Sequence, residues 1–217
     1  MIRHVSIEIY SDVVCPWCYV GKRRLERALT RLRDSIKPSV GWRAFELNPG
    51  MPKEGMDRHM YLETKFGSLD SFREMEAHLI QAAEAEDLTL AFEKISRTPN
   101  TFLAHRLIWY AGQRGVQDDV VESLFRGYFT EGADLGSVST LVLLARRAGL
   151  DVEAFLDSDT GTEEVRAEER DAARLGIRAV PYFVLNRAYG ISGAQPVDRF
   201  AAAIERVAAQ GPVKLPI

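Results

Sequence analysis

The sequence has little cysteine: two residues in a chain of 217. So few exclude a secreted disulfide scaffold, in which several bridges stand in for a core. An excess of charge is also missing. Against 28 Lys and Arg stand 31 Asp and Glu, for a formal net charge of −3. That balance gives no strong pull on nucleic acid or on an anionic membrane, and neither is expected as a partner. No stretch approaches the roughly 20 apolar residues that carry a helix across a bilayer. No apolar leader with a small-residue cleavage site follows Met1; the chain runs straight into "MIRHVSIEIYSD". These absences point to a cytoplasmic protein. Histidine is scarce too. His4, His59, His78 and His105 are scattered, with no H-x3–5-H pair. A structural zinc site takes four Cys or His ligands, so no metal is expected. There is no solenoid period and no low-complexity segment.

What is present begins with 46% hydrophobic residues, enough for one well-filled core or a core with a satellite lobe. Val5, Ile7 and Ile9 alternate with Ser6, Glu8 and Tyr10, the period of a strand. A helical pattern follows, with apolar Val20, Leu25, Ala28, Leu29, Leu32 and Ile36 and a stop expected at Pro38. The basic run Lys22-Arg23-Arg24 reads as a solvated helix face. Ser39–Leu47 is β-rich, which completes a βαβ unit.

From Asn48 the character changes. A Pro/Gly loop leads into helical patterns over Asp57–Phe66, Leu69–Glu86, Thr101–Arg114, Asp118–Phe129, Val138–Ala148 and Val152–Asp157. Gly67, Gly115, Gly132 and Gly149 punctuate them, and only Leu88–Phe92 looks strand-like. Near residue 160 the pattern changes again. Thr160-x-x-Glu163 has capping-box spacing and Gly176 suits a C′ position. Pro181–Leu185 and Ala188–Ile191 flank Asn186-Arg187 as a hairpin. A final helix opens at Pro196 and carries Phe200, Ile204 and Val207 on one stripe. Two strands rarely stand alone, so both β-rich parts should share one sheet. The expected architecture is α/β. Residues 1–47 and 160–217 form a discontinuous sheet domain, and 48–159 form an inserted helical domain.

Both cysteines sit in "SDVVCPWCYV", where the first strand gives way to the first helix. A structural disulfide there would close a tiny loop and constrain the unfolded chain little. Redox chemistry fits the position better. Pro16 suits the first helical position, where its missing N–H is not needed. Backbone donors of the first turn and the helix dipole then favour a thiolate at Cys15, the nucleophile. Cys18 follows within the same turn and suits the resolving thiol. Trp17 between them reads either as packing between lobes or as an apolar contact for substrate. Val180-Pro181 is the second signal. A proline opening a β-run suits an edge strand, or a cis-proline loop that presents the Val180 backbone to an extended substrate.

C-P-x-C after the first strand, a helical insertion and V-P before a late hairpin together resemble a DsbA-type thioredoxin fold. "SDVVCPWCYVGKRRLE", "ELNP", "PNTFLAHRLI" and "GISGAQP" are similar, more narrowly, to the FrnE-like branch. The resemblance spans essentially the whole chain. It implies a thiol–disulfide oxidoreductase with Cys15 as nucleophile, Cys18 as resolver and Pro181 as cis-proline. Substrates would be protein or small-molecule disulfides or thiols, with no tightly bound cofactor and a monomer or homodimer. The same superfamily holds 2-hydroxychromene-2-carboxylate isomerases and kappa-class glutathione transferases, which use glutathione and typically place Ser where Cys15 stands. Glutathione is therefore a candidate reductant or co-substrate. Some FrnE-like proteins carry a second, C-terminal cysteine pair; this chain has none, which leaves no relay between two disulfides. The resemblance also draws in Glu8 and Asp12, each read as a proton acceptor for Cys18 or as a solvated or capping carboxylate. Asn100 and His105 read as cleft-lining residues, or as a helix cap and a packed helix residue.

Overall fold

The computed structural model describes residues 2–67 and 69–210, with 69–75 described by backbone alone. The expected C-terminal stretch beyond residue 210, Gly211 included, lies outside the described residues. The chain runs β1 (Arg3–Ser11), α1 (Pro16–Leu32), β2 (Ile36–Ala44), β3 (Met56–Asp57), α2 (Arg58–Phe66), α3 (Leu69–Glu84), β4 (Arg97–Thr98), α4 (Phe102–Gly112), α5 (Gln117–Phe129), α6 (Val138–Arg147) and α7 (Glu153–Leu156). It ends with α8 (Thr162–Arg174), β5 (Tyr182–Leu185), β6 (Tyr189–Ser192) and α9 (Val197–Gln210). This is a thioredoxin-like α/β fold with a large helical insertion.

The main sheet has the order β2-β1-β5-β6. β1 pairs parallel with β2 and antiparallel with β5, so the two distant β-rich parts do share one sheet. The alternation in β1 has a purpose on both faces. Val5, Ile7 and Ile9 are buried with Phe183, Leu185, Phe200, Ile204 and Val207. Tyr10 faces the other way, onto Val184, Ala172 and Ile177. The hairpin turns at Asn186 and Arg187, whose φ values of 48° and 56° are left-handed. Asn tolerates that region well, and its Oδ1 also accepts the Ser6 N–H at 2.9 Å.

Several expectations are corrected. α1 ends at Leu32, not at Pro38. The Leu32-to-Ile36 spacing matches a helical turn, but Ile36 opens β2. Pro38 sits within that strand, and β2 is an edge strand, where a missing ladder donor is tolerated. Leu88–Phe92 is not a strand; the small second sheet pairs β3 with β4 instead. Thr160 is not a cap. Gly161 is the N-cap of α8 at φ 83°, with no side-chain bond.

The largest correction concerns Lys22-Arg23-Arg24. Lys22 is only 3% exposed. Its Nζ meets Asp118 Oδ2 at 3.1 Å and Glu122 Oε2 at 3.0 Å, and it pairs with Glu26. Arg23 reaches Glu122 and Glu26 at 2.7 Å each, and Arg24 meets Glu86 at 2.8 Å. Tyr19 stacks on Phe125 with centroids 5.0 Å apart and donates to Glu122 at 2.8 Å. The basic face is thus the dock between α1 and the helical insertion. Sequence reasoning missed it because the docking acids Glu86, Asp118 and Glu122 come from distant parts of the chain, 62 to about a hundred positions away. One buried cluster runs through both parts, from Ile7 and Val20 to Leu107, Phe125 and Phe129. Gln117 at the start of α5 also covers the open edge of β2. Its Oε1 accepts the Trp42 N–H at 2.9 Å and its Nε2 donates to the Trp42 carbonyl at 3.2 Å.

Candidate active site

Cys15 is the N-cap of α1, with φ −93° and ψ 108°, and Pro16 opens the helix. The loop before it is fixed by its own backbone: Cys15 N–H donates to the Asp12 carbonyl at 3.0 Å. The first turn closes when Cys18 N–H donates to the Cys15 carbonyl at 3.0 Å. Both cysteines are free thiols. Cys15 is 6% exposed and Cys18 1%, so Cys15 keeps the more accessible edge. Its Sγ donates to the Val180 carbonyl at 3.6 Å, a usual reach for sulfur. The Val180–Pro181 peptide is cis, so C-P-W-C and V-P, 165 residues apart, meet at one point.

Gly21 makes that meeting close. A Cβ there would lie 3.1 Å from Pro181 Cγ and 3.2 Å from Phe183 Cζ. α1 can therefore press onto the proline loop only where it has no side chain. Gly21 was not singled out from the sequence, although a glycine six residues into a strong helix was a signal for close approach.

Burial pushes the Cys18 thiol well up, and the neighbouring Cys15 sulfur adds to the rise. The Ser11 hydroxyl and the Asp12 backbone N–H oppose it. Cys18 thus holds its proton until something takes it. Ser11, the last residue of β1, is a neighbour that sequence reasoning passed over.

Trp17 is 39% exposed and borders a cavity of about 240 Å³. Val14, Pro16 and Leu47 line it from the cysteine side, and Tyr61, Leu62, Phe92 and Phe129 from the helical insertion. Both readings of Trp17 meet here, since it packs toward the insertion and walls a hollow next to Pro16 that is mostly apolar but also lined by Arg58, Lys65 and Glu76.

The other residues divide. Glu8 lies on β1 with its carboxylate taken by Arg43, whose Nη2 is 2.8 Å away, on the face covered by α8. Asn100 is a local organiser. It accepts the Phe102 N–H at 3.0 Å and donates to the Met51 carbonyl at 2.8 Å. Asp12 is fully buried; its Oδ2 accepts the Leu47 N–H at 2.7 Å, and its Oδ1 lies 3.4 Å from His105 Nε2. Burial alone would lower the His105 pKa. Asp12, then Glu46 and Glu169, outweigh it and raise the value. Glu46 stands within "ELNP", with no local signal in the sequence to mark it. Burial, and then the Glu169 carboxyl, push its acid up to about 7, against His105 and Arg166. Among the described residues, no group of three or more His, Cys, Asp or Glu is placed to hold a metal ion. No helix among them is long and apolar enough to cross a membrane.

Comparison with known proteins agrees with this geometry. Over 205 residues the chain is 30% identical to the uncharacterized protein YwbO of Bacillus subtilis, covering 92% of this chain and 96% of that one. Its structure resembles that of a probable DsbA oxidoreductase from Streptomyces coelicolor, with a TM-score of 0.87 and 40% identity, covering 98% and 94% of the two chains. A 2-hydroxychromene-2-carboxylate isomerase shares the fold, at a TM-score of 0.71 and 17% identity over 94% and 97% of the chains. A model of the DSBA-like thioredoxin domain matches residues 6–205, and the chain belongs to that family.

Proposed function

We propose that the protein is a thiol–disulfide oxidoreductase whose working group is the Cys15–Cys18 dithiol. The observation that carries this is the placement of Cys15 Sγ at the start of α1, against the carbonyl that precedes cis-Pro181, with Cys18 sealed one turn behind. The α1 dipole and its free backbone donors favour negative charge at that sulfur. The Cys15 sulfur attacks a substrate disulfide, a Cys15–substrate bond forms, and the first substrate sulfur leaves and takes a proton. Cys18 gives up its proton and attacks Cys15, and the second substrate sulfur leaves. The substrate is reduced and the dithiol oxidised; the reverse steps oxidise a substrate dithiol. Glutathione is the proposed reductant that resets the pair.

Trp17 and the cavity beside it would hold an apolar group flanking the substrate disulfide, and Val180 would present its backbone to an extended substrate. Asp12, not Glu8, is the carboxylate placed at the cysteine loop, because Glu8 is committed to Arg43. A cytoplasmic setting belongs to the same proposal, since two cysteines suit a catalytic pair better than a scaffold.

The test is reduction of insulin by dithiothreitol. Cys15→Ser should fall to the uncatalysed rate, about 100-fold or more below wild type by the scale of losing a nucleophile. Equal rates would end the proposal. Cys18→Ser should accumulate mixed disulfides on a non-reducing gel. A second reading, a glutathione-dependent isomerase or transferase, draws on the fold shared with the isomerase and on the apolar cavity at Trp17. Under it, Cys18→Ser would retain full glutathione-dependent turnover.

A further inference from the structure

Behind the cysteine loop lies a group of ionisable side chains that the exchange steps do not use. Asp12 Oδ1 and His105 Nε2 are buried and, though 3.4 Å apart, neither has a well-directed hydrogen bond. Glu46 Oε1 meets Arg166 Nη1 at 2.7 Å, and Glu169 Oε2 meets the same nitrogen at 2.7 Å. The other two oxygens, Glu46 Oε2 and Glu169 Oε1, are buried without a partner. Two carboxylates on one guanidinium nitrogen, each with a buried oxygen left over, are arranged to share a proton, because both cannot readily ionise side by side.

The cluster touches the site through Asp12. The Asp12 carbonyl holds the Cys15 N–H, its N–H faces the Cys18 sulfur, and its carboxylate holds Leu47, the residue after Glu46. Arg166 is partly exposed and opens the far end to solvent. The charged groups that act most strongly on Glu46 are Glu169 and Arg166 from α8 and His105 from α4. His105 in turn faces Asp12 and both glutamates, and Tyr128 of α5 senses Asp12.

We propose that Glu46 and Glu169 share one proton, and that His105 makes this pair a positioning element for the dithiol, holding the proton more firmly when the cysteines are reduced than when they are joined. The inference rests on the reading of Cys15–Cys18 as a redox couple. In exchange with glutathione, the Cys15–Cys18 bond breaks, two glutathione thiols give up their hydrogens and join as a disulfide, and two protein thiols form. A reduced pair can carry negative charge in the loop above Asp12; a disulfide carries none. Negative charge there favours a proton on the cluster, and joining the cysteines releases it to solvent past Arg166.

The experiment is the equilibrium of the full chain with glutathione from pH 6 to pH 8. With every thiol protonated, that exchange takes up no net proton and is independent of pH. Ionisation of a cysteine would favour the reduced form as pH rises. The cluster acts the opposite way, because the oxidised form loses the shared proton more easily. Relative to Glu169→Gln, the wild-type equilibrium should therefore shift toward the disulfide by about threefold across the range, or about 14 mV for a two-electron couple. His105→Gln should remove the same component. Parallel curves for wild type and both variants would overturn the inference. If the variants do not fold, the infrared band of protonated carboxyl in the unsubstituted chain decides. It should be stronger in the reduced than in the oxidised form at pH 7, and equal bands overturn the proposal. Cysteines that stay alkylatable under oxidised glutathione would overturn the redox reading as well, which tells the two failures apart.

Discussion

The two sides of the cysteine loop differ in kind. In front lie the Cys15 sulfur, the Val180 carbonyl, cis-Pro181 and an apolar cavity beside Trp17. Behind lie Asp12, His105, Glu46 and Glu169, with unpartnered atoms sealed from water. The front is built by close packing, and the back by charges that must balance one another. Control of the site divides along the same line. Shape at the front decides what reaches the sulfur. Proton count at the back decides which charge the loop rests on. Substitutions that disturb one side and spare the other test whether the division is real.

The largest stability effect is expected at the front. Gly21→Val would drive a Cβ to 3.1 Å from Pro181 Cγ and 3.2 Å from Phe183 Cζ, two rigid neighbours. Overpacking of this kind costs about 3 kcal/mol, read as a lower urea midpoint. Activity should fall with it, because α1 and the proline loop would part. A variant as stable and active as wild type would show that the close approach is not needed.

A smaller effect with a defined pH window is expected at the back. The Glu46 acid has a folded pKa of about 7 against a usual 4.5. Between those values the folded chain holds a proton that the unfolded chain has released, so stability falls as pH rises through the window. His105, with its pKa raised, leans the same way: its contribution is full below the usual 6.5 and is lost above its folded value. Glu46→Gln removes the first component. It should be more stable than wild type at pH 8 by about 1–2 kcal/mol, within the ceiling of the shift, and nearly equal at pH 5. Thermal melts at the two pH values read this directly. A variant less stable at pH 8 would mean that the Arg166 pairing outweighs the repulsion.

Legibility in the sequence follows the same division. The front could be read because its signals are local: C-P-W-C at a strand–helix junction, V-P before a hairpin, period-two alternation in β1. Asp12, three residues before Cys15, came with them. The back was legible only in part: His105 was marked by the "PNTFLAHRLI" resemblance, but Glu46 and Glu169 were not, because they lie on separate elements and only the tertiary fold brings them to His105. Glu46 stood inside "ELNP" with no neighbour to mark it. Lys22 failed for the same reason. A basic run on an amphipathic helix is usually solvated, and nothing near it in sequence announced Asp118 or Glu122. Pro38 failed differently. Its stop signal was sound for a helix, but the edge position of β2, which makes it harmless in a strand, is a property of the whole sheet.

The smallest expected effect is the sharpest probe of the front. Trp17 is 39% exposed, so Trp17→Ala should cost little stability, under about 1 kcal/mol by the scale of partly exposed positions. Its work, under the proposed function, is to wall the cavity that receives a substrate's apolar flank. Truncation should therefore raise KM severalfold for peptide disulfides with aromatic neighbours, with kcat nearly unchanged, because such contacts bind ground and transition states alike. Oxidised glutathione, which has no large apolar group, should be turned over as by wild type. Equal KM increases for both substrates would assign Trp17 to holding the loop itself, and the front would then be a packing device with no part in choosing substrates.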